Sequence, residues 1–418
     1  MSILIKNVFL AGKKTSIFVE GNVISKIGTD AGSKSDVVID GSGKAAIPGF
    51  VNCHTHAAMT LMRGYADDLP LQEWLERHIW PLEAKLSEED VYWGSKLACL
   101  EMIKSGTTCF NDMYWHLKGT LKAASESGLR SVLSSVFIDR LRPEKAREQR
   151  RQAEKLVKET KARERIKIAL GPHAIYTVTK ESLEWVREFA MKNDLLVHMH
   201  LSETKQEVED CEKEHGKRPV EYLNDLGLLN PNLVCVHCVW LDEKEITLLA
   251  KNNVKVVHCP TSNMKLSVGR EISYEEMHRN GINVTLGTDG CASNNSLDMF
   301  GAMKTAAILH KMMGDNPTIL PAADAFKMAT ENGAKALRIN AGRITEGALA
   351  DVVLIDLKKP ELVPLHNLTS NLVYSATGSC VDTVICDGRM LMQKGIVEGE
   401  EKLMEKAGEI AERLVSKG

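Results

Sequence analysis

Two histidines one residue apart, His54 and His56, stand at the end of an apolar run that begins at Ala45 and ends at Cys53. If this run is a β-strand, residues i and i+2 point to the same face, so both imidazoles project toward one point. Imidazole nitrogens are common ligands of divalent metal ions. The pair therefore predicts a metal site and metal-assisted chemistry.

Further histidines and one aspartate end other apolar runs in the same way. They are His173, His200, His237, His258 and Asp289. A lone histidine is more often a core or surface residue than a ligand. Here histidines stand at five of eight predicted strand ends and an aspartate at another, which is hard to explain by core or surface positions alone. The remaining histidines are interpreted as ordinary core or surface residues: His78, His116, His198, His215, His278, His310 and His366.

Four of these side chains form a ligand set suited to one divalent ion: His54, His56, His200 and Asp289. Three neutral nitrogens and one carboxylate suit Zn²⁺, with Fe²⁺ as the alternative, and they leave room for water. Such an ion lowers the pKa of a bound water and so supplies a nucleophile. A second ion would need an anionic bridge such as a carbamylated lysine, and the run ending at His173 has no lysine there. We therefore expect one metal.

Three residues at the same predicted site can move protons. Glu203 follows His200 by three positions, so it can reach the pocket without being a ligand, although it could also be a surface glutamate before an acidic helix. His237 can orient the attacking water by a hydrogen bond. Asp289 can both ligate the metal and accept a proton from the water. If the reaction is a deamination, it needs such a proton carrier, because the substrate and then the leaving ammonia must be protonated.

The residues that would position this site read as eight strands alternating with amphipathic helices, which predicts an α/β fold with a (β/α)8 barrel. The predicted strands are Ile47–His54, Thr107–Asp112, Leu129–Ile138, Ile166–His173, Leu195–His200, Leu233–His237, Val254–Cys259 and Asn283–Asp289. The predicted helices include Glu89–Ser105, Arg147–Ala162, Lys180–Lys192, Glu207–Leu226 and Asp242–Lys251. In such barrels the active residues lie at the C-terminal ends of the strands.

The two ends of the chain differ from its centre. They contain short strands and glycine turns, which predicts a small β-sandwich composed of residues 1–46 and 351–418, with the barrel spanning 47–350. The predicted strands are Ile3–Leu10, Ser16–Val19, Val23–Ile27, Val37–Asp40, Asp351–Asp356 and Val381–Asp387. The last segment, Glu400–Lys417, has a helical pattern on a charged background.

Composition excludes several classes of function. A net charge of −3 over 418 residues gives no general electrostatic reason to bind nucleic acid or an anionic membrane, and no run of about 18 apolar residues is present. The ten cysteines are scattered singly, and the lone C-x-x-C motif, Cys235–Cys238, has no second pair to complete a zinc ribbon. Residues 1–6 lack a signal-peptide layout. We expect reduced core cysteines and a cytoplasmic protein.

These motifs together resemble the amidohydrolase superfamily, over nearly the whole length. The resemblance depends on Pro48–His56, His200-x-x-Glu203, Val236–Cys238, Gly287–Gly290 and Ala341–Asp351. A narrower similarity, to the 5-methylthioadenosine/S-adenosylhomocysteine deaminases and archaeal 5'-deoxyadenosine deaminases, depends on Thr288–Asp298, Gly171–His173 and Trp80–Glu83. It implies hydrolytic deamination of a 5'-modified adenosine to the inosine analogue and ammonia, with a small nucleoside as partner. A homo-oligomer is also expected.

The resemblance also implies roles for particular residues. Metal would bind at His54, His56, His200 and Asp289, and Glu203, His237 and Asp289 would be catalytic. Glu83, His173, Glu203 and Asp289 would contact the substrate, with Glu83 holding the ribose hydroxyls. Trp74 is interpreted either as an apolar wall of the pocket or as a core aromatic residue.

One departure from the family concerns the 5'-group. Some relatives place an arginine near the end of strand three, where this chain has Ser134–Arg140. Arg140 and Arg142 are the candidates to replace it. A neutral 5'-group is therefore expected at least as readily as S-adenosylhomocysteine. Guanine or cytosine deamination, triazine dechlorination and a non-catalytic scaffold remain alternatives, although Glu83 and the run Ser293–Asn295 argue against the nucleobase and triazine readings.

Overall fold

The computed structural model describes residues 1–29, 35–140, 142–160 and 164–416. Its strands, in chain order, are β1 (Ser2–Leu10), β2 (Lys13–Glu20), β3 (Val23–Ile27), β4 (Val37–Asp40), β5 (Lys44–Pro48), β6 (Phe50–Thr55), β7 (Thr107–Met113), β8 (Arg130–Phe137), β9 (Ile166–Pro172), β10 (Val197–Leu201), β11 (Leu233–His237), β12 (Lys255–His258), β13 (Asn283–Leu286), β14 (Val352–Asp356), β15 (Val381–Cys386) and β16 (Arg389–Met392).

The α-helices, in chain order, are α1 (Leu71–Trp74), α2 (Trp80–Glu83), α3 (Glu88–Lys104), α4 (Leu117–Ser127), α5 (Ala146–Thr160), α6 (Lys180–Asn193), α7 (Lys205–His215), α8 (Pro219–Asp225), α9 (Glu243–Lys251), α10 (Pro260–Lys265), α11 (Tyr274–Arg279), α12 (Met299–Met313), α13 (Ala322–Met328), α14 (Glu331–Ala336), α15 (Leu368–Tyr374) and α16 (Glu400–Ser416). Two residues of the predicted helix over 147–162, residues 161 and 162, and Lys417 of the last predicted helix lie outside the described residues.

The central sheet is the predicted barrel. Strands β6 to β13 pair in chain order and in parallel. The first and last strands meet where the backbone N–H groups of Thr288 and Asp289 donate to His54 O at 3.2 and 3.0 Å. Both faces of a barrel strand are covered, which explains the nearly continuous apolar runs. The (β/α)8 fold is thus confirmed.

A second sheet combines strands from both ends of the chain. Its order is β16-β15-β14-β5-β1-β2-β3, and β4 pairs with β1. Strand β14 lies antiparallel to both β5 and β15, so the C-terminal strands join the N-terminal strands directly. The returning chain therefore completes a small sheet beside the barrel.

The apolar run before His54 is not one strand, and the predicted strand Ile47–His54 is wrong in this respect. The run divides at Gly49: β5 belongs to the terminal sheet and β6 to the barrel. A Cβ at Gly49 would lie 2.1 Å from Thr108 Oγ1, so only glycine allows this close approach. No polar residue marks the division, so hydrophobic pattern alone could not reveal it.

The predicted helix Glu207–Leu226 is likewise two helices, α7 and α8. Gly216 ends α7 with a φ of +66°, and Pro219 begins α8. Glycine after a helix and proline at the first helical position are the usual signals of such a break. None of the helices in the described part of the chain is long and apolar enough to cross a membrane.

A buried ion-pair cluster fastens the barrel to the terminal sheet. Arg130 on β8 donates to Asp351 through Nε and Nη2 at 3.0 and 3.1 Å, and to Asp387 at 2.9 Å. Replacing Arg130 with methionine leaves Asp351 buried without its partner. We expect urea unfolding to show a loss of about 3–5 kcal/mol in the free energy of unfolding.

The exposed pair Arg77–Glu73 provides the matched control for this prediction. Arg77→Met should cost about 0–1 kcal/mol, because exposed ion pairs contribute little. Equal effects of the two substitutions would show that the buried cluster does not stabilise the fold.

Candidate active site

Three histidines direct their Nε2 atoms toward one point at the C-terminal mouth of the barrel. His56 Nδ1 lies 2.6 Å from Met113 O, and His200 Nδ1 lies 2.8 Å from His173 O. A carbonyl oxygen can only accept, so each Nδ1 carries the hydrogen and each Nε2 keeps its lone pair. The ring centroid of His54 lies 4.7 Å from that of His56 and 4.9 Å from that of His200.

Asp289 completes this group with one free carboxylate oxygen. Its Oδ2 accepts hydrogen bonds from Ser262 Oγ at 2.5 Å and Ser293 Oγ at 2.7 Å. Its Oδ1 lies 3.3 Å from the Nε2 atoms of both His54 and His56. Burial alone would raise the pKa of Asp289, but the close imidazoles of His54, His56 and His237 lower it well below its usual range. The residue is therefore a carboxylate.

The donor atoms present fit a divalent metal ion. His54 Nε2 is buried and has no hydrogen-bond partner, although its ring is fully enclosed. An unsatisfied buried nitrogen is costly unless it binds something. The ligand atoms of His54, His56 and Asp289 lie within 4.8 Å of one another, and those of His54, His200 and His237 form an overlapping group. Burial lowers the pKa of His54 to about 4, which keeps it in the neutral form that ligates metals.

His198 contacts His54 on the side of the ring opposite the proposed metal. Its Nε2 lies 2.9 Å from His54 Nδ1, and its Nδ1 lies 3.0 Å from Ser134 Oγ. The interpretation of His198 as an ordinary core residue is therefore incomplete: it is buried, and it orients His54. The available signal was its spacing, because His198 and His200 repeat the i, i+2 pattern of His54 and His56.

Replacing His198 with glutamine should weaken metal binding without removing a ligand. Loss of an outer partner of this kind usually costs about 10–100-fold in metal affinity. The expected result is a higher dissociation constant for Zn²⁺ in a competitive chelator titration. His366→Gln, at an exposed position, is the control. Unchanged affinity in His198→Gln would remove the orienting role.

Glu203 lies beside the ligands on a loop that a second glutamate fixes. Glu207 accepts from the backbone N–H groups of Ser202 at 2.8 Å and Glu203 at 2.9 Å. Only 13% of the Glu203 side chain is exposed, and burial raises its pKa. The raised pKa favours the protonated form of the Glu203 carboxyl group. The hydrogen bonds to Glu207 hold the backbone at Glu203 in place.

His237 faces Glu203 across the site. Its Nδ1 donates to Asn263 Oδ1 at 2.9 Å, which leaves Nε2 free, 3.8 Å from Glu203 Oε1. Burial acts to lower the pKa of His237, but Glu203 and Asp289 outweigh it and raise the pKa. His237 and Asp289 have φ of +69° and +62°. Such left-handed backbone in non-glycine residues is typical of functional sites.

A cavity open to solvent connects these groups to a largely apolar wall. It contains every residue predicted to touch substrate: Trp74, Glu83, His173, Glu203 and Asp289. Trp74 is buried, lines the cavity and packs in the core as well, so it is part of both the apolar wall and the core. Burial raises the pKa of Glu83, whereas Tyr114 and the imidazole of His56 lower it in part.

No lysine or arginine lines the cavity within the described residues. Val136 and Ile138 occupy the wall at the end of β8. Arg140 forms an ion pair with Glu214 instead, and Arg142 is exposed. Neither candidate arginine reaches the site, so the described lining offers no cationic side chain to a substrate carboxylate.

Comparisons with known proteins agree with this geometry. The model described as "Amidohydrolase family" matches residues 45–391. The 5-methylthioadenosine/S-adenosylhomocysteine deaminase 1 of Archaeoglobus fulgidus is 51% identical, with 99% of each chain covered. The 5'-deoxyadenosine deaminase of Methanocaldococcus jannaschii is 49% identical, with 99% of this chain and 100% of the relative covered.

A solved structure is similar as well. It is an adenosine deaminase from Xanthomonas campestris with bound zinc, 35% identical, with a TM-score of 0.94, covering 99% of this chain and 98% of that one. The family model and the curated relatives each cover most of the chain, which confirms the resemblance drawn from its motifs. The chain therefore belongs to the amidohydrolase family.

Proposed function

We propose that this protein is a metal-dependent aminohydrolase that converts 5'-modified adenosines to the inosine analogues and ammonia. The observation that carries the proposal is one cavity lined by three of the four proposed ligands, His56, His200 and Asp289, together with Glu203, His237 and Glu83. Relatives about half identical over nearly the full length, named as deaminases of such nucleosides, support it.

The proposed metal is Zn²⁺, held by His54, His56, His200 and Asp289. When bound, this ion lowers the pKa of water so that a nucleophile is available near neutral pH. The protein already orients these ligands, because each histidine Nδ1 has a polar partner and Asp289 Oδ2 accepts hydrogen bonds from two serines.

The residues of the chain would manage the protons. Glu203 donates a proton to the ring nitrogen beside the amine-bearing carbon, which makes that carbon more electrophilic. His237 Nε2 accepts a hydrogen bond from the attacking water, and Asp289 accepts the proton that the water loses. The carbon–oxygen bond forms, Asp289 passes its proton to the amine, and the carbon–nitrogen bond breaks to release ammonia. The new hydroxyl returns a proton to Glu203 as it becomes the carbonyl of the inosine analogue.

Glu83 would select nucleosides over free bases. A carboxylate can accept two hydrogen bonds, which matches the two ribose hydroxyls. Trp74 and the other aromatic residues of the wall would enclose the apolar parts of the substrate, and His173 would contact it from the end of β9.

The direct test is a substrate panel followed by the shift of the purine ultraviolet band. Zinc-loaded protein should deaminate 5'-deoxyadenosine and 5'-methylthioadenosine, and it should leave guanine, cytosine and chlorotriazines unchanged. If all 5'-modified adenosines stay unchanged, the proposed function fails. A protein that binds no metal under any loading condition would instead be a non-catalytic scaffold.

We further propose that uncharged 5'-groups are preferred, because no lysine or arginine of the described residues lines the cavity. 5'-Methylthioadenosine and S-adenosylhomocysteine share the thioether and differ in the amino acid portion. Burying a charged group without a partner costs about 1–3 kcal/mol or more. We expect kcat/KM to be about 10–100-fold higher for 5'-methylthioadenosine.

Two variants at one position sharpen this prediction. Ile138→Arg places a cation in the wall and should raise kcat/KM for S-adenosylhomocysteine relative to 5'-methylthioadenosine, whereas Ile138→Met should not. Equal activity of the unmodified enzyme on both substrates would contradict the preference but leave the deaminase function standing.

The remaining proposals concern the location of the protein in the cell and its oligomeric state. All ten cysteines are buried and unpaired, which supports a reducing, cytoplasmic location. A homo-oligomer stays a prediction that sedimentation can test.

A further inference from the structure

A second group of metal-type ligands lies outside the catalytic cavity. It consists of His258 at the end of β12, Glu271 in the segment before α11, and His310 on α12. Their ligand atoms all lie within 4.8 Å of one another. None of the three lines the cavity, so the proposed reaction does not use them.

The two imidazoles have the geometry of a pair that shares an ion. Their Nε2 atoms are 3.2 Å apart. Two nitrogens bound to one tetrahedral zinc at about 2.0–2.1 Å are separated by about 3.3 Å. The ring centroids lie 5.0 Å apart, within the 4.7–5.4 Å found among His54, His56 and His200.

Two atoms of the group are buried without a hydrogen-bond partner, Glu271 Oε2 and His258 Nδ1. Glu271 Oε2 lies 3.7 Å from His258 Nε2. A hydrogen bond between the two imidazoles would explain their contact, but it leaves this carboxylate oxygen with nothing to bind. Burial lowers the pKa of His310 to about 4 and that of His258 well below its usual range, so both rings are neutral, as ligands must be.

We propose that His258 Nε2, His310 Nε2 and Glu271 Oε2 bind a second divalent ion of the zinc class, separate from the catalytic ion. Two nitrogens and one carboxylate oxygen suit zinc, and a water molecule can fill the fourth position. The ion would tie α12 and the segment around Glu271 to the end of β12. It would stabilise the fold and take no part in turnover.

The test is the zinc content of the full-length protein. Chelator-stripped protein is dialysed against micromolar Zn²⁺, and bound zinc is measured by mass spectrometry. Wild type should hold about two ions per chain, and His310→Gln and Glu271→Gln about one, with the catalytic ion retained. His278→Gln, at an exposed histidine on α11, is the matched control and should hold as many as wild type.

Each outcome decides the proposal. One ion in wild type, or equal zinc in wild type and both variants, overturns it and leaves a hydrogen-bonded pair beside a protonated glutamate. Circular dichroism shows whether a variant folds, and Glu271→Gln preserves the side-chain shape if His310→Gln does not fold. Zinc should also raise the melting temperature of Asp289→Asn, a variant impaired at the catalytic ion, by more than that of Asp289→Asn/Glu271→Gln.

Discussion

Glu203→Gln is expected to remove most turnover while zinc stays bound. The amide has nearly the same shape as the carboxyl group but cannot donate an acidic proton to the purine ring. Loss of general acid catalysis typically costs about 10²–10⁴-fold in rate. The measurement is kcat for 5'-methylthioadenosine by ultraviolet absorbance, with zinc content determined on the same sample.

Glu209→Gln is the control for this substitution, because Glu209 is an exposed residue on α7 that forms an ion pair with Lys205. It should leave both kcat and zinc unchanged. Glu203→Gln protein that turns over within about tenfold of wild type would exclude Glu203 as the proton donor, since the expected loss is larger. A loss of zinc in Glu203→Gln would show instead that the carboxylate helps to bind the metal.

Most of the barrel could be predicted because its strands are short, apolar and separated by amphipathic helices. Their ends were less predictable, and Gly49 shows why. Two strands of different sheets follow one another there without a polar residue between them, and the break depends on the approach of Thr108. The Pro48-Gly49 pair is a local turn signal, but only the contact with a residue distant in sequence shows that the two strands belong to different sheets.

The first layer of the site was predictable for a reason of topology. Parallel strands bring their C-terminal ends to one rim, so polar residues that end separate runs meet there. The second layer was not. Ser262, Ser293 and Asn263 hold Asp289 and His237, but serine and asparagine in loops are too common to signal such a role.

Trp74 and Glu83 could not be predicted from the ends of strands. They lie on α1 and α2 respectively, away from any strand end, so only the resemblance to a family pointed to them. Arg140 was also undecidable from sequence, because its partner Glu214 comes from α7, more than seventy residues later. Whether an arginine faces the cavity depends on that tertiary ion pair.

Asp289→Asn should have an even larger effect than Glu203→Gln, because it removes two functions together. The amide is a weaker ligand, and it cannot accept the proton that water loses. Loss of a direct ligand should exceed the about 10–100-fold loss of metal affinity caused by removing an outer partner. We expect both zinc affinity and kcat to fall, measured by chelator competition and by ultraviolet assay at saturating zinc.

The assay at saturating zinc separates the two functions. If Asp289 only binds the metal, excess zinc should restore turnover in Asp289→Asn, which would contradict its role as proton acceptor. Ser293→Ala keeps the carboxylate and loses one of its two serine donors, so a much smaller effect is expected. The double variant Glu203→Gln/Asp289→Asn should lose little more than the worse single variant, because the effects of residues that act as one catalytic unit are not additive.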